Sequence, residues 1–435
     1  AGAEYIALTL FWFLQELLCM PIESVAAANQ SHKFRQHGAM EYTTPPCDLN
    51  AVRMYRLNRV RAELEKRDLS GIILYDQLNT RYACDATNMQ IWCSHNEARY
   101  LYVPTEGPVV LFDFGGKDIL CDGLPTIDEI RAPINFFYMV AGVESANRAR
   151  EWAEDIDSIA NAHNRRNKRI AIDRLSPLGV QELERLGYEI FDGFEIMEKA
   201  REIKSDGEIQ LMKASVEVCE QAIGMMREAL VPGITENALW AELHRGNIAG
   251  GGEWIETRLL ASGPRTNPWY RESSMRPIEK GDMVSFDTDL IGPYGYCCDM
   301  SRSWICDSEP NDEQKRLYAE AYHQIQDNKA LLKPGISFKE VTDSLRPMAE
   351  EFVPGRYSLA MHGVGLCDEY PAIYYPQDWD KHGNDGVIKE GMVMCIEALI
   401  GSYGGREAVK LEEQVLITAD GIEQLTSYPL ETSWL

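Results

Sequence analysis

The sequence is poor in positive charge. Its 43 lysine and arginine residues stand against 68 aspartate and glutamate residues, which gives a formal net charge of −25 at pH 7. A surface of that sign repels phosphate backbones and anionic lipid, so we expect neither nucleic acid nor a membrane as a partner. At 435 residues the chain is long enough for two globular domains.

Regular cysteine spacing, internal repeats and low-complexity tracts are also missing. The eleven cysteines include no CxxC pair, which disfavours a zinc ribbon or a disulfide framework and predicts reduced thiols in a cytoplasmic protein. An apolar run at residues 5–20 is interrupted by Gln15 and Glu16 and is short for a membrane span. We interpret residues 1–47 as an extension, either upstream sequence with Met40 as a native start or an amphipathic arm that packs on a partner subunit.

Hydrophobic periodicity divides the rest of the chain. In residues 48–200 helical and strand-like segments alternate, which predicts an α/β domain whose first helix begins after Asp48 and runs to Lys66. Residues 201–435 open with a long amphipathic helix that stops before Pro232, and strand-like segments dominate from residue 254 onward. The second domain is therefore expected to be α+β.

Acidic residues recur within the strand-like segments of this second part. In "SFDTDLIGPYGYCCDMSRSW" (285–304), alternate residues of a strand share a face, so Asp287 and Asp289 are expected to point the same way. A returning strand would add Asp299 to that face. An isolated Asp-x-Asp is typical of a solvated surface, but the flanking residues here are apolar.

Three more residues that commonly bind metals lie in apolar surroundings: Glu397 in "MCIEALI", Glu412 in "VKLEEQVLIT" and His362 in "MHGVGL". Buried carboxylates are very costly unless they are neutralised. Arg302 is expected on the opposite face of its strand, and Lys410 supplies only one charge. Five carboxylates and an imidazole match two divalent metal ions better, with manganese, iron, cobalt or zinc favoured over copper.

The order Asp, Asp, His, Glu, Glu on such strands resembles the metallopeptidase family with the pita-bread fold, which includes methionine aminopeptidase, prolidase, aminopeptidase P and creatinase. The segment "REIKSDGEIQLMKAS" (201–215) is similar to the helix that opens the catalytic domain of that family. The resemblance implies an α+β pita-bread catalytic domain at 201–435, preceded by a smaller α/β creatinase-type domain at 48–200. It also implies a homodimer in which N-terminal domains approach the neighbouring site.

Two departures argue against peptide cleavage. The segment "ASGPRTNPWY" (261–270) has Trp269 where prolidase-like enzymes carry a histidine, and "HGVGLCDEYP" (362–371) has Asp368 near the place of their second histidine. An amide-cleaving enzyme needs groups that stabilise a tetrahedral intermediate and protonate an amine leaving group. Both candidate groups are absent.

Long motifs instead resemble one branch of the family, the lyases of dimethylsulfoniopropionate (DMSP). They include "GGEWIETRLLASGPRTNPW" (251–269) and "KLEEQVLIT" (410–418). The resemblance implies two divalent transition-metal ions, iron first, with zinc, manganese, cobalt or nickel as alternatives. It assigns the general base to Asp368 and an active-site tyrosine to Tyr357. The implied metal ligands are Asp287, Asp289, Asp299, His362, Glu397 and Glu412.

The expected reaction is a β-elimination that yields dimethyl sulfide and acrylate. A sulfonium cation needs an aromatic wall, and the candidates besides Tyr357 are Trp92, Trp269 and Tyr270. Arg265 is a candidate clamp for the substrate carboxylate, although a structural role is the simpler interpretation. The alternatives are a dinuclear metallopeptidase, a lyase or hydrolase acting on another small carboxylate, and a non-catalytic binding module that has kept the fold.

Overall fold

Helices and strands alternate along the computed structural model, which describes residues 45–115, 118–121, 123–164 and 167–435. Most of the predicted extension at residues 1–47 lies outside the described residues. Within them the helices are α1 (Leu49–Lys66), α2 (Gln77–Cys84), α3 (Gln90–His95), α4 (Tyr138–Ala141), α5 (Ser145–Asn164), α6 (Pro177–Arg185), α7 (Gly193–Arg201), α8 (Asp206–Ala229), α9 (Glu236–Ala249), α10 (Asp312–Lys329), α11 (Phe338–Ser344) and α12 (Pro376–His382).

The strands of the same ranges are β1 (Gly71–Leu74), β2 (Tyr100–Pro104), β3 (Val110–Phe112), β4 (Glu129–Arg131), β5 (Arg169–Ile172), β6 (Glu189–Asp192), β7 (Trp254–Ile255), β8 (Leu260–Ser262), β9 (Met283–Asp287), β10 (Leu290–Ile291), β11 (Cys297–Cys298), β12 (Ser301–Ile305), β13 (Leu359–Val364), β14 (Asp368–Tyr374), β15 (Val393–Ile400), β16 (Val409–Thr418) and β17 (Gly421–Gln424). Short 3-10 turns connect several of them.

The first helix begins where the sequence predicts. The side chain of Asp48 accepts hydrogen bonds from the backbone N–H groups of Asn50 and Ala51 at 2.9 and 3.2 Å, and so caps α1. The long helix α8 begins with a capping box, in which Ser205 and Glu208 satisfy each other's backbone N–H groups. The predicted start of α1 is confirmed, and the long helix ends at Ala229, before Pro232 as predicted.

A mixed six-stranded sheet, in the order β4-β3-β2-β1-β5-β6, organises the first part of the described chain. Strand β1 pairs antiparallel with β2 and parallel with β5. A core of tyrosines and aliphatic residues covers one face, where Tyr75 and Phe112 flank Tyr100 and Trp152 of α5 packs against Tyr100. The mixed α and β content expected for residues 48–200 is present, whereas the domain boundary near residue 200 stays a prediction, because residues 45–435 form one compact unit.

Three sheets shape the second part: β12-β9-β8, β11-β10-β7 and the five-stranded β14-β13-β15-β16-β17. The strands β15 and β16 are buried along nearly their whole lengths and run antiparallel. Helix α10 packs on both of them. No helix of the described residues has the length and apolarity needed to cross a membrane.

One local expectation is wrong. The stretch 283–291 is not a single strand, because β9 ends at Asp287 and Asp289 adopts a left-handed backbone with φ 35° before β10 begins. Asp299 likewise falls between β11 and β12 rather than within a strand. Strict alternation of strand faces therefore does not determine the positions of these acids. The position of Asp289 depends instead on the turn between β9 and β10.

Candidate active site

The six predicted metal ligands converge on one buried cluster between the β9–β12 ladder and the five-stranded sheet. Glu397 and Glu412 are directly opposed across β15 and β16. Asp287 is the last residue of β9, and its partner in β12 is Ser301. The turns that break the strands bring in the other two aspartates, and β13 brings in the histidine. All six residues are buried: Asp287, Asp289, Asp299, His362, Glu397 and Glu412.

Two overlapping groups of ligand atoms fall within 4.8 Å of one another. One contains Asp287, Asp289 and Asp299, and the other contains Asp299, His362, Glu412 and Cys395. Nε2 of His362 lies 3.2 Å from Glu412 and 3.7 Å from Asp299. Asp299 is common to both groups, so one carboxylate could bridge two ions.

Lys410 lies among these acids and is fully buried. Its Nζ is 2.9 Å from Asp287 and 3.0 Å from both Glu397 and Glu412. It also donates to Ser301, whose hydroxyl in turn bonds Asp287 and Glu412. The sequence counts Lys410 only as a single opposing charge, but the structure makes it the common partner of three acids.

The charges of the cluster do not balance by themselves. Five carboxylates face one ammonium, and His362 adds at most one more positive charge. Burial, together with neighbouring carboxylates, raises the pKa values of Asp289 and Asp299 well above their ordinary range. Burial also raises the pKa of Glu397 to about 7 despite the nearby Lys410. Further cations, or protons, are needed to neutralise this cluster.

Glu412 and His362 behave differently, because each has a close partner of opposite charge. Burial opposes the charged form of Glu412, but Lys410 and His362 outweigh it and lower the pKa of that carboxyl. Burial likewise opposes a charged His362, but Asp368 and Glu412 raise the pKa of its imidazole. A metal ion at Nε2 would replace that proton.

A cavity of about 530 Å³ opens over the cluster. Among its lining residues, all within the described part of the chain, there is no lysine or arginine. Acids and three tyrosines, Tyr270, Tyr357 and Tyr370, form much of its wall. Such a cavity is suited to a cationic group.

Asp368 is at the start of β14 and borders this cavity, with half of its side-chain surface (51%) exposed. Its Oδ1 lies 3.7 Å from Nδ1 of His362. Burial of the carboxyl raises the pKa of Asp368, although His362 acts in the opposite direction. The predicted base is therefore placed at the cavity beside the cluster.

The predicted aromatic residues separate into two sets. Tyr270, 70% exposed, and the partly buried Tyr357 line the cavity with ring centroids 5.1 Å apart. Lys410 Nζ lies 4.9 Å from the centre of the Tyr357 ring. Trp269 does not line the cavity but is buried behind it, where its indole N–H donates to the Tyr357 hydroxyl at 2.6 Å. The structure thus makes Trp269 a support for Tyr357.

Two other candidates lie elsewhere. Trp92 is on α3, is 37% exposed and packs near Phe114, away from the cavity of its own chain. Arg265 pairs with Glu236 and donates to Ser274, which is a structural role. Arg302 is on the opposite face as expected, where it pairs with Glu413 at 3.0 Å.

Sequence reasoning assigned no site role to four residues at the cluster, although it weighed Lys410 as a single opposing charge. Ser301 bonds two of the acids, and Thr257 donates to Asp289 at 2.6 Å. Cys395 belongs to the second ligand group. Lys410 precedes Glu412 by two residues on the same strand, so the alternation of strand faces could have placed it at the site. No comparable signal marks Thr257.

Comparisons with known proteins agree with this fold. Residues 210–419 match the model of Metallopeptidase family M24. The Xaa-Pro dipeptidase of Bacillus anthracis superposes with a TM-score of 0.69 at 21% identity, over 87% of this chain and 98% of that one. The X-Pro aminopeptidase of Thermotoga maritima gives 0.70 at 20% identity, over 86% and 98%. The described chain therefore has the fold of the M24, pita-bread class, which confirms the expected fold.

The sequence relatives narrow this class. Dimethylsulfoniopropionate lyase DddP of Roseovarius nubinhibens is 42% identical over 390 residues, which cover 88% of this chain and 87% of the relative. DddP of Roseobacter denitrificans is 40% identical over the same shares. The Xaa-Pro dipeptidase of Pyrococcus horikoshii is 29% identical over 53% of this chain and 64% of its own length. The chain belongs to the DddP family.

Proposed function

We propose that this protein cleaves DMSP by β-elimination and releases dimethyl sulfide and acrylate. The observation that carries the proposal is the position of Asp368, a carboxylate at the cavity wall 3.7 Å from His362, where the peptidase motif has a histidine. Similarity to the DddP lyases over 88% of the chain supports the same substrate. The cavity is of the size expected for a small-molecule ligand.

Two divalent ions fit the donor set of the cluster. Two such ions and the ammonium of Lys410 would together supply five positive charges, which equals the charge of the five carboxylates when His362 is neutral. The ligands proposed are Asp287, Asp289, Asp299, His362, Glu397 and Glu412, with iron as the first candidate by family and zinc, manganese, cobalt or nickel as alternatives. Bound ions would act as Lewis acids toward the substrate carboxylate.

Asp368 is the general base of the proposed reaction. It takes a proton from the carbon next to the substrate carboxylate, and the electron pair of that C–H bond forms the new C=C bond. The C–S bond breaks at the neighbouring carbon, and dimethyl sulfide leaves as a neutral molecule that needs no acid. Burial raises the pKa of the Asp368 carboxyl, which brings it closer to the working pH.

The sulfonium end is assigned to the tyrosine wall. Each aromatic face contributes ~0.5–2 kcal/mol to the binding of a cation. Tyr270 and Tyr357 offer two adjacent rings, and Trp269 fixes the second of them through its hydroxyl. No lysine or arginine lines the cavity among the described residues. The buried Lys410, 4.9 Å from the Tyr357 ring, is paired with three acids, which offset its charge.

A homodimer in the cytoplasm is also part of the proposal. Exposed apolar side chains are concentrated in two segments before residue 150, Met89–Trp92 and Tyr138–Val143, which include Ile91 at 57% and Val143 at 89% exposed. A second copy seated there would cover them. Trp92 could then act only at the neighbouring subunit's site.

A dinuclear metallopeptidase is the main competing function, because the solved structures similar in fold include dipeptidases and an aminopeptidase. A lyase or hydrolase acting on another small carboxylate is a narrower alternative. The test is headspace detection of dimethyl sulfide after addition of DMSP, beside a parallel assay with a Xaa-Pro dipeptide. We expect release of dimethyl sulfide and no cleavage of the dipeptide. Dipeptide cleavage without release of dimethyl sulfide would overturn the lyase assignment.

A further inference from the structure

A second charged cluster lies beside Asp368, and its two acids, Glu198 and Glu369, also border the cavity. Glu369, whose side chain is 1% exposed, lies 3.0 Å from Nε of Arg201 and 3.0 Å from Nζ of Lys204. Both cations are almost completely buried. Arg201 ends α7 and Lys204 lies in the connection to α8, so the pair joins the hairpin that carries Asp368 to a distant segment of the chain.

The same carboxylate also holds the tip of that hairpin. Oε1 of Glu369 accepts the backbone N–H of Leu366 at 3.0 Å. A Cβ at Gly365 would lie 2.5 Å from both carboxylate oxygens, which shows how closely the turn packs on Glu369. Cys297 donates its N–H to the carbonyl of Gly365 at 2.7 Å from the other side. The turn between His362 and Asp368 is thus held at both ends.

The next residue of β14 is also held by a hydrogen bond to α7. The backbone N–H of Tyr370 donates to Glu198 of α7 at 2.7 Å. Glu198 also pairs with Arg201, and Arg201 donates to Asn79 of α2. Residues 369 and 370 are therefore both fixed to α7, immediately after the proposed base.

We propose that Glu369 is a positioning residue that fixes the direction of the Asp368 carboxylate. Successive side chains of a strand point to opposite faces, and at the start of β14 Asp368 is exposed while Glu369 is buried. Holding Glu369 by two cations and one backbone N–H prevents rotation of the strand about its axis. That rotation would swing Asp368 away from the cavity.

Stability alone does not account for this cluster. Its two acids, Glu198 and Glu369, and its two bases are balanced in charge, and a balanced buried ion pair is often no more stable than an apolar replacement. A misplacement of about 1 Å, by contrast, costs roughly 100-fold in rate at an active site. Geometry near the base is the property that such a cluster supplies.

The test rests on the proposed function and uses the metal-loaded protein with DMSP, either unlabelled or deuterated at the carbon next to the carboxylate. We expect Glu369→Gln to lower kcat per folded, metal-loaded molecule by roughly 10- to 100-fold. Metal content should change little, because the cluster does not touch the predicted metal ligands. KM should change much less than kcat, because Glu369 lines the cavity with a side chain that is only 1% exposed. The deuterium isotope effect should be at least as large as that of the wild type, since proton removal is the step that is slowed.

Asp113→Asn is the matched control. Asp113 pairs with Arg99 at 3.0 Å in the first sheet, and both side chains are as buried as those of the Glu369 cluster. This variant should lose thermal stability but keep kcat per folded molecule. If Glu369→Gln does not fold, the double variant with Lys204→Met removes one charge of each sign and serves in its place.

The outcomes are distinct. An unchanged kcat per folded molecule, or a lowered kcat with a smaller isotope effect, overturns the positioning role. A wild-type protein that releases no dimethyl sulfide overturns the proposed function instead.

Discussion

The two main sheets of the molecule are equally buried but differ in what they bury. In the six-stranded sheet β1, β2 and β3 are buried throughout and carry aliphatic and aromatic side chains. In the five-stranded sheet β15 and β16 are buried almost throughout, yet each carries an acid of the cluster, and β16 adds Lys410. Burial alone therefore does not reveal the candidate site.

The distinguishing feature is the ratio of acids to bases. In the first sheet the buried Asp113 has Arg99 to itself at 3.0 Å. In the second, Lys410 is shared by three acids, and Asp289 and Asp299 have no lysine or arginine partner within the described residues. A paired acid contributes to structure, whereas an excess of buried acids predicts a bound cation.

The largest effect is expected at Asp368. Asp368→Asn removes the only group proposed to take the proton, so we expect kcat to fall by roughly 100- to 10,000-fold. Metal content should stay at the wild-type level because Asp368 is not a proposed ligand. The measurement is headspace dimethyl sulfide together with elemental analysis of the purified variant. Turnover close to wild type would refute the role of Asp368.

Substitution of Lys410 tests the difference in charge balance between the two sheets. Lys410→Met leaves three buried carboxylates without their shared ammonium, so the free energy of unfolding of the metal-free protein should fall by about 3–5 kcal/mol. Trp152→Ala opens a cavity in the core that covers the first sheet, and it should lower the free energy of unfolding by a similar ~3–5 kcal/mol. Chemical denaturation measures both changes.

The two variants should differ in their metal content. Lys410→Met alters the charge balance at the cluster and should change the number of ions bound per folded molecule. Trp152→Ala should not change it, because Trp152 packs only within the first sheet's core. Equal metal content in both variants would show that Lys410 does not influence metal binding at the cluster.

The sequence predicted the cluster but not how it is assembled. The pattern of acids within apolar flanks was enough to select five acids and His362, although strict alternation of strand faces did not hold at Asp289 and Asp299. It could not show that Asp289 reaches the cluster through a left-handed turn, because that depends on how β9 and β10 enter different sheets. It also could not show Lys410 meeting Asp287, since that contact depends on how β16 packs against β9.

The aromatic residues illustrate a further limit. Trp269 and Tyr270 are neighbours in sequence, and both were candidates for the cavity wall. The structure exposes Tyr270 and buries Trp269 behind Tyr357. Which of two adjacent residues faces a cavity depends on tertiary packing, and no local pattern reports it.

The smallest effect is a difference in pH dependence between metal-free and metal-loaded protein. In the metal-free protein burial raises the pKa of Glu397 to about 7, whereas a glutamate in an unfolded chain titrates near 4.3. The folded state then holds a proton that the unfolded state has lost, so this contribution is present below about pH 4 and is lost as the pH rises through 7. Over the whole range the loss amounts to about 4 kcal/mol.

Glu397→Gln isolates this effect. Between pH 5 and 8 the metal-free wild type should lose about 3 kcal/mol more stability than metal-free Glu397→Gln. The metal-loaded wild type should show the opposite slope, because ions bind only the deprotonated carboxylates and compete better as the pH rises. Urea denaturation across that range, with and without a chelator, measures all three slopes. Parallel curves for the metal-free and metal-loaded wild type would mean that the buried acids are neutralised by the protein itself, and the distinction between the two sheets would then be one of composition only.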